Sequence, residues 1–514
     1  MNAAPPTPLD LLLVFPPSYE HYFMPEMALP RLTAHLRSRG LSVEQQDWNV
    51  LYWGRYLFEE RPFRFLLKWL KRSLQPGEDC FYWPVRELFD RFLNAGALDL
   101  QTCRRFVWEH RREIFHWIYE QTLVSDYSFG NVVALTRRPD PLLDRFLRSQ
   151  VGEVLKHHDV SVLGLSLISP HQLVQTLRLV SAWRAAKPDL RVVAGGPWVK
   201  LGRTFFLQEK YRFLFRFFDV LSFADGESPL EGILASGFDR DRLAEVPNII
   251  YGTEDGQIKE TREVASLPLT ELPEPTFDGL PMDLYLEPAI PVERASMCYW
   301  RKCAFCWHNH KDRLWNYLPE TTVVDRLEHY VEQYDIRDFM FIDNAVDEQY
   351  SARMAQEILD RGLNIRWTMQ ARLNKEFLNP TYPQLLAKSG CRSITFGLET
   401  AHPDMLRKFK KGILLENVPT ILKNSAEAGI ENNLFTMLYP GQTREDFEVT
   451  LKFCLGVREH VGMVITQRFD LNEYCIAHDQ PQLLGLSVLP APGVHLDFFK
   501  LAYESNGCIS DDAY

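Results

Sequence analysis

Several absences narrow the reading before any motif is considered. The opening segment, MNAAPPTPLDLLLVFPP, lacks a positively charged leader, and its apolar run from Leu11 to Phe15 is too short for a signal core or a membrane span. The expectation is a buried strand in a cytoplasmic protein with no membrane partner. Basic residues are not in excess: 57 Lys and Arg face 68 Asp and Glu, a net charge of -11. That balance argues against a nucleic-acid partner, because binding to phosphate backbones relies on clustered cations that displace counterions. A GxGxxG fingerprint is missing, so nothing points to a nicotinamide dinucleotide. Cysteine is sparse, at nine in 514 residues, and six of the nine (Cys80, Cys103, Cys391, Cys454, Cys475, Cys508) stand alone. A secreted disulfide framework is excluded on that count.

What is present is an ordinary globular composition, 46% apolar and 24% charged, in a chain long enough for several cores. Strand and helix signals alternate from the start. LDLLLVFPP precedes the helical period of MPEMALPRLTAHLRSRG, and LSVEQQDW follows as a second strand. From about residue 50 to 155 the pattern changes to aromatic-rich amphipathic stretches, FRFLLKWLKRSL, VRELFDRFLNAG and CRRFVWEHRREIFHWIYEQTL, which predict a helical insertion. Its tryptophans, Trp53, Trp69, Trp83, Trp108 and Trp117, suit either a helical core or a lid over a substrate. Strands resume with VSVLGLSLIS, RVVAGG, DVLSFADGES and NIIYGT. Residues 1–265 therefore predict an α/β, doubly wound, Rossmann-like parallel sheet whose ligands lie beyond the carboxyl ends of its strands.

Residues 266–290 hold five prolines and no useful period, and predict a linker. A second series runs over 291–472. Its strands begin at IPVERAS, DFMFIDN, IRWTMQAR, RSITFGLET, IENNLFTMLYPG and GMVITQRFDL, each of the last five preceded by a helical stretch. Six such units predict a partial (β/α)6 barrel with chemistry at its C-terminal rim. Residues 473–514 read as a tail of mixed signals.

The stretch MCYWRKCAFCWHNH follows the first strand of this series and holds Cys298, Cys303 and Cys306 at C-x4-C-x2-C spacing. Thiolates bind soft metals, and two readings stand on the residues alone. His308 or His310 would complete a four-ligand zinc site. Alternatively, three thiolates hold a [4Fe-4S] cluster and leave one iron open to a small ligand, the arrangement suited to delivering one electron.

With its neighbours, the stretch resembles the cobalamin-dependent radical SAM enzymes. The family pattern is C-x3-C-x2-C with an aromatic before the last cysteine; Phe305 takes that place, and one extra residue separates Cys298 from Cys303. FMFIDN resembles the second-strand motif whose acid, Asp343, points into the barrel. WTMQAR resembles the third-strand motif, in which Arg372 would pair with the carboxylate of S-adenosylmethionine (SAM). FGLET resembles G-L-E-S and puts Glu399 near SAM, and MLYPGQT resembles G-x-P-G-E-T, with Gly441 allowing close approach. Read structurally instead, Arg372 and Glu399 form a salt bridge across the barrel and Asp343 caps a helix.

The first domain resembles the cobalamin-binding domain of the same enzymes. LGLSLISP supplies Ser166 and Ser169 at a strand end, VVAGGPWV supplies Gly195 and Gly196, and FADGES supplies Gly226 and Glu227 at a helix start. No D-x-H-x-x-G motif follows the first strand, so a histidine lower ligand from that motif is not expected, and His21 is a weak substitute for it. The resemblance implies three cofactors: a [4Fe-4S] cluster on Cys298, Cys303 and Cys306, SAM, and cobalamin. It implies a radical SAM C-methyltransferase acting on an unactivated carbon of a peptide or small natural product, through a 5′-deoxyadenosyl radical and methylcobalamin. A flavodoxin- or ferredoxin-type reductant would supply the electron. Cyclisation or rearrangement with the same cofactors is the nearest alternative, and a zinc-stabilised, non-catalytic binding protein is the distant one. No catalytic side chain is singled out.

Overall fold

A computed structural model describes residues 5–18, 23–73, 83–93, 99–122, 127–308, 316–489, 494, 496–498, 501 and 503–505. His21, Cys80, His310 and Cys508 lie outside the described residues. The chain divides into two compact units. One comprises Met1–Val264, Pro275–Pro288 and Gly493–Asp497, and the other Ala265–Glu274, Ala289–Pro492 and Phe498–Tyr514. No helix among the described residues is long and apolar enough to cross a membrane.

In the first unit the strands are β1 (Thr7–Leu9), β2 (Leu11–Phe15), β3 (Val43–Asp47), β4 (His158–Val160), β5 (Val162–Ser166), β6 (Arg191–Gly195), β7 (Val220–Ser222), β8 (Ile249–Gly252) and β9 (Ile258–Glu260). Seven form one sheet in the order β3-β2-β5-β6-β7-β8-β9, while β1 and β4 pair separately. All five residues of β2 and of β5 are buried, which is why both read as unbroken apolar runs: helices cover both faces of the sheet. Helix Ala28–Ser38 crosses from β2 to β3, and Leu173–Ala186 from β5 to β6. The strand order reverses at β2, whose neighbours are β3 on one side and β5 on the other. A crevice for ligands is expected at the C-terminal ends of strands at such a switch point.

The sheet is not parallel throughout. NIIYGT, expected as a further parallel strand, becomes β8, antiparallel to β7, and an unforeseen β9 pairs antiparallel to β8. The connection between β8 and β9 is Thr253–Gln257, tied by Thr253 N–H to Gln257 O at 2.8 Å, with Gly256 at φ +80°. A connection that short permits only a hairpin.

The insertion consists of helices Glu60–Ser73, Trp83–Leu88, Leu100–Glu109, Arg111–Thr122, Phe129–Arg137 and Pro141–His157, with shorter turns between them. The long stretch from Cys103 breaks at His110 into two helices. Its aromatic residues pack on one another: Trp53 on Phe115 at 4.9 Å, Trp108 on Phe58 at 5.0 Å and Trp69 on Trp117 at 6.5 Å between ring centroids. Trp83 packs edge-on against Phe106 at 6.4 Å while remaining exposed at 59%.

In the second unit six strands, β10 (Ile290–Val292), β11 (Asp338–Phe341), β12 (Arg366–Ala371), β13 (Cys391–Glu399), β14 (Glu431–Leu438) and β15 (Met463–Arg468), pair in sequence order and all parallel. β10 and β15 do not pair with each other, so the barrel is open. Helices Glu320–Tyr334, Glu348–Asp360, Thr381–Lys388, Val418–Glu427 and Arg444–Gly456 make the crossovers. Two of them start on side-chain caps: Asp347 accepts from Tyr350 N–H at 2.9 Å, and Thr443 forms a capping box with Asp446.

The stretch read as a linker divides between the units and is packed. Tyr285 donates its hydroxyl to Asp47 at 2.8 Å, and Gln45 Nε2 donates to Thr276 O at 2.8 Å. The tail contains a helix, Ile476–Asp479, and an antiparallel pair, β16 (Leu486–Val488) with β17 (Tyr503–Ser505).

Gly196 follows β6 at φ +100° and ψ -179°, a region open essentially to glycine alone, and a Cβ there would lie 2.6 Å from Leu167 O. Gly196→Ala is therefore expected to destabilise the chain by about 1–3 kcal/mol or more, read as a lower midpoint in chemical denaturation. An unchanged midpoint would mean that this turn is not tight.

Candidate functional site

The cysteine loop leaves the C-terminal end of β10 and is fixed at both ends. At its start, Asp343, just after β11, accepts from Ala295 N–H at 2.8 Å and from Arg294 N–H at 3.3 Å. Asp343 is thus neither a helix cap nor a group pointing into the barrel. Its carboxylate turns back onto the backbone that leads to the cysteines. Burial pushes its pKa up to about 7, against the pull of the Arg294 guanidinium at 3.7 Å. Arg294, fully buried, also donates to Asp347 at 3.2 Å and to Ala345 O at 3.1 Å. In the middle of the loop, Ala304 donates to Phe409 O at 2.9 Å and accepts from Ala477 N–H at 2.8 Å. Phe305 packs edge-on against Phe409 at 5.1 Å, beside a core cluster that includes Met437, Tyr439 and Phe469.

This framework directs Cys298, Cys303 and Cys306 to the wall of one cavity of about 350 Å³, shared with Phe305, His308 and residues at the ends of β12 to β15. None of the three is in a disulfide. Burial pushes the Cys306 thiol up to about 12 and raises that of Cys303. A bound cation reverses such a bias, since a coordinating thiol gives up its proton. Among the described residues no three His, Cys, Asp or Glu side chains are closed around a common point as metal ligands; the thiols are brought together as cavity lining.

Arg372, Glu399 and Lys411 face the same cavity. Glu399 ends β13 at φ +65°, where the register with β14 shifts, and such an irregularity re-aims a side chain. Its carboxylate accepts from Lys411 Nζ at 2.7 Å, both side chains being about 90% buried. The salt bridge of Glu399 is therefore with Lys411, not with Arg372. Lys411 is turned inward between two left-handed residues, Lys410 at φ +54° and Gly412 at φ +69°. Arg372 donates to Lys411 O, while its Nε is buried with no hydrogen-bond partner. A cavity that pairs a partly satisfied guanidinium and an ammonium with one carboxylate suits a zwitterionic ligand. Gly441, at φ +71°, shapes the turn after β14 but does not line the cavity.

In the first unit, Ser166 ends β5 and Ser169 follows it. The Ser166 hydroxyl is buried without a hydrogen-bond partner, as is that of Ser222 at the end of β7, whereas Ser169 forms a capping box with Gln172. Gly195 lies beside Ser222, with a virtual Cβ 3.6 Å from its carbonyl oxygen, and Gly196 beside Leu167. Orphaned hydroxyls at the C-terminal ends of β5 and β7, on either side of β6, are what a bound ligand would satisfy. Gly226 is tight, with a Cβ there falling 3.0 Å from Leu32. Glu227 is otherwise engaged: its buried carboxylate accepts from Arg31 Nε at 2.6 Å. That pair ties helix Glu227–Ser236 to helix Ala28–Ser38.

Residues 294–454 match the family model described as the Radical SAM superfamily, so the second unit carries a radical SAM domain. With the Rossmann-like first unit, the chain has the fold of the cobalamin-dependent radical SAM enzymes. The structure of the radical SAM methyltransferase TsrM from Kitasatospora setae, solved with cobalamin and a [4Fe-4S] cluster, superposes with a TM-score of 0.61 at 14% identity, covering 98% of this chain and 86% of that one. The cobalamin-dependent SAM radical enzyme OxsB, solved with aqua-cobalamin and SAM, gives 0.55 at 15% identity over 94% of this chain and 55% of that one. Among curated proteins, an uncharacterized methyltransferase of Pyrococcus horikoshii is 24% identical over 61% of this chain and 68% of its own length. The hopanoid C-3 methylase of Methylococcus capsulatus is 22% identical over 37% of this chain and 36% of its own.

Breaking a buried ion pair by removing one partner costs about 3–5 kcal/mol. Lys411→Met should lower the denaturation midpoint of the full chain by that order, and Glu399→Gln in the same chain should restore much of it. Equal loss in the single and double variants would show that the pair is not coupled.

Proposed function

We propose that the chain is a cobalamin-dependent radical SAM enzyme that methylates an unactivated carbon of a peptide or a small natural product. The observation that carries this reading is one cavity, at the C-terminal rim of an open six-stranded parallel barrel, that collects Cys298, Cys303 and Cys306 with Arg372, Glu399 and Lys411. The residues fit the groups: three thiols for a [4Fe-4S] cluster with an open iron, and cations beside a carboxylate for the amino-acid end of SAM. In the first unit, Ser166 and Ser222 offer unpaired hydroxyls, and Gly195 and Gly196 keep the strand end free of side chains, as a large planar cofactor such as cobalamin requires.

When bound, these groups supply a one-electron donor, a source of a hydrogen-abstracting radical and a methyl carrier; the protein's part is position and exclusion of water. Arg372 and Lys411 would orient the SAM carboxylate. Phe305, held by Phe409, would screen one side of the cluster. Asp343 and Arg294 would fix where the cysteine loop begins. The electron is assigned to an external flavodoxin- or ferredoxin-type protein, and the named methyltransferases among the relatives support methyl transfer as the outcome.

The test is anaerobic reconstitution of the full chain with iron, sulfide and cobalamin, followed by mass spectrometry for 5′-deoxyadenosine, S-adenosylhomocysteine and bound cobalamin. Cys303→Ala should abolish both iron-sulfur absorbance and 5′-deoxyadenosine; continued 5′-deoxyadenosine formation would overturn the cluster assignment, as would zinc in place of iron in the purified protein. With methyl-labelled SAM, label should appear in the product. Conversion without label would replace methylation by cyclisation or rearrangement.

A further inference from the structure

The widened spacer between Cys298 and Cys303 contacts the segments that carry the cavity's cations. Its four residues are Tyr299, Trp300, Arg301 and Lys302, and Arg301 takes φ +50° to accommodate the turn. The Trp300 ring lies under the Arg372 guanidinium at 3.7 Å, and its indole N–H donates to Lys410 O at 2.9 Å. Gly412 leaves room for it: a Cβ there would lie 2.6 Å from the Trp300 ring. On the other side, the Tyr299 hydroxyl accepts from Asn374 Nδ2 at 2.9 Å, and Asn374 donates in turn to buried Glu348 at 2.8 Å. Arg372 and Asn374 both follow β12, while Lys410 and Gly412 flank Lys411. Two consecutive spacer residues therefore grip the two segments that carry the cavity's cations.

We infer that Tyr299 and Trp300 make the spacer a clamp, with Trp300 as the positioning residue that holds Arg372 and the 410–412 turn in the geometry that receives a ligand carboxylate. This rests on the reading of the cavity as a SAM site. The physical basis is threefold. A guanidinium stacked on an indole keeps its planar donor fork oriented. The indole hydrogen bond fixes the turn that presents Lys411. Neither contact requires Trp300 to touch the ligand. The extra residue in the cysteine motif thereby acquires a role: it lets the loop that holds the thiols also set the cations across from them.

The experiment uses the anaerobically reconstituted full chain and measures SAM binding by calorimetry, together with iron content and the electron paramagnetic resonance spectrum of the reduced cluster with and without SAM. In Trp300→Leu, iron content should match the wild type, while SAM binds about tenfold more weakly, the loss expected for a partly desolvated cation–π contact. Trp300→Phe, which keeps the stack and loses the hydrogen bond, should recover binding to within about threefold of the wild type. The SAM-induced spectral change should return with it. Arg372→Lys should weaken SAM binding, and adding Trp300→Leu to it should cost little more, because both act through one contact. Wild-type affinity in Trp300→Leu would overturn the clamp, and so would loss of iron in that variant, which would make Trp300 a support for the cluster loop alone. Failure of the wild type itself to bind SAM would overturn the underlying assignment of the cavity.

Discussion

The buried pair of Glu399 and Lys411 is the constraint around which the second unit's cavity is built. Two charges about 90% withdrawn from water persist only when each answers the other, and the 2.7 Å contact achieves that. The geometry is demanding on the backbone. Glu399 sits in the left-handed region at a register shift, and Lys411 is flanked by two further left-handed residues. Gly397 has no room for a side chain, because a Cβ would collide with the Lys411 ammonium and the Glu399 carboxylate. Strain of this kind collects where surrounding structure over-determines it, commonly at functional sites. Arg372, bonded to the Lys411 carbonyl, adds a second cation to the first. The net positive character left at this wall gives the cavity its preference for an anionic group opposite the thiols.

The first unit prepares its candidate site by omission. The sheet is closed on both faces by helices, and the hydroxyls of Ser166 and Ser222 end in burial without partners. A buried unsatisfied hydroxyl costs free energy that an apolar residue would avoid. The glycines between these hydroxyls remove steric bulk along the same edge. The cost of leaving polar atoms unpaired there is consistent with a ligand that pairs them.

Much of this was legible in the chain. Apolar runs and helical periods locate the six barrel strands and the parallel strands of the first sheet, because buried parallel strands and amphipathic crossover helices leave strong local signals, whereas the antiparallel β8–β9 hairpin is not visible in them. The cysteine loop, Arg372 and Glu399 were found through motifs at strand ends. What escaped depends on contacts distant in sequence or on backbone handedness. Lys411, in RKFKKG, reads as a solvated lysine until the left-handed turn inverts it. Arg31 cannot be recognised as the partner of Glu227, 196 residues away, so the tie between their helices leaves no local signal. The direction of Asp343 is set by the backbone of Arg294 and Ala295, which no local pattern reveals.

The one irregularity in the motif, the fifth step between Cys298 and Cys303, follows from the same economy of anchoring. A loop that carries three thiols must be rigid, yet it has no regular hydrogen-bond ladder of its own. It borrows its support from every neighbour within reach: the Asp343 carboxylate at its start, the Phe409 carbonyl and the Ala477 amide at Ala304, and Asn374 and Lys410 through the side chains of the spacer. These supports come from the segments after β11, β12 and β13 and from the tail, so the loop's position records the alignment of several parts of the rim. A three-residue spacer would have one fewer side chain with which to reach the segments after β12 and β13. Lengthening it by one residue couples the thiols to the cations that face them, so that neither half of the site can shift without the other.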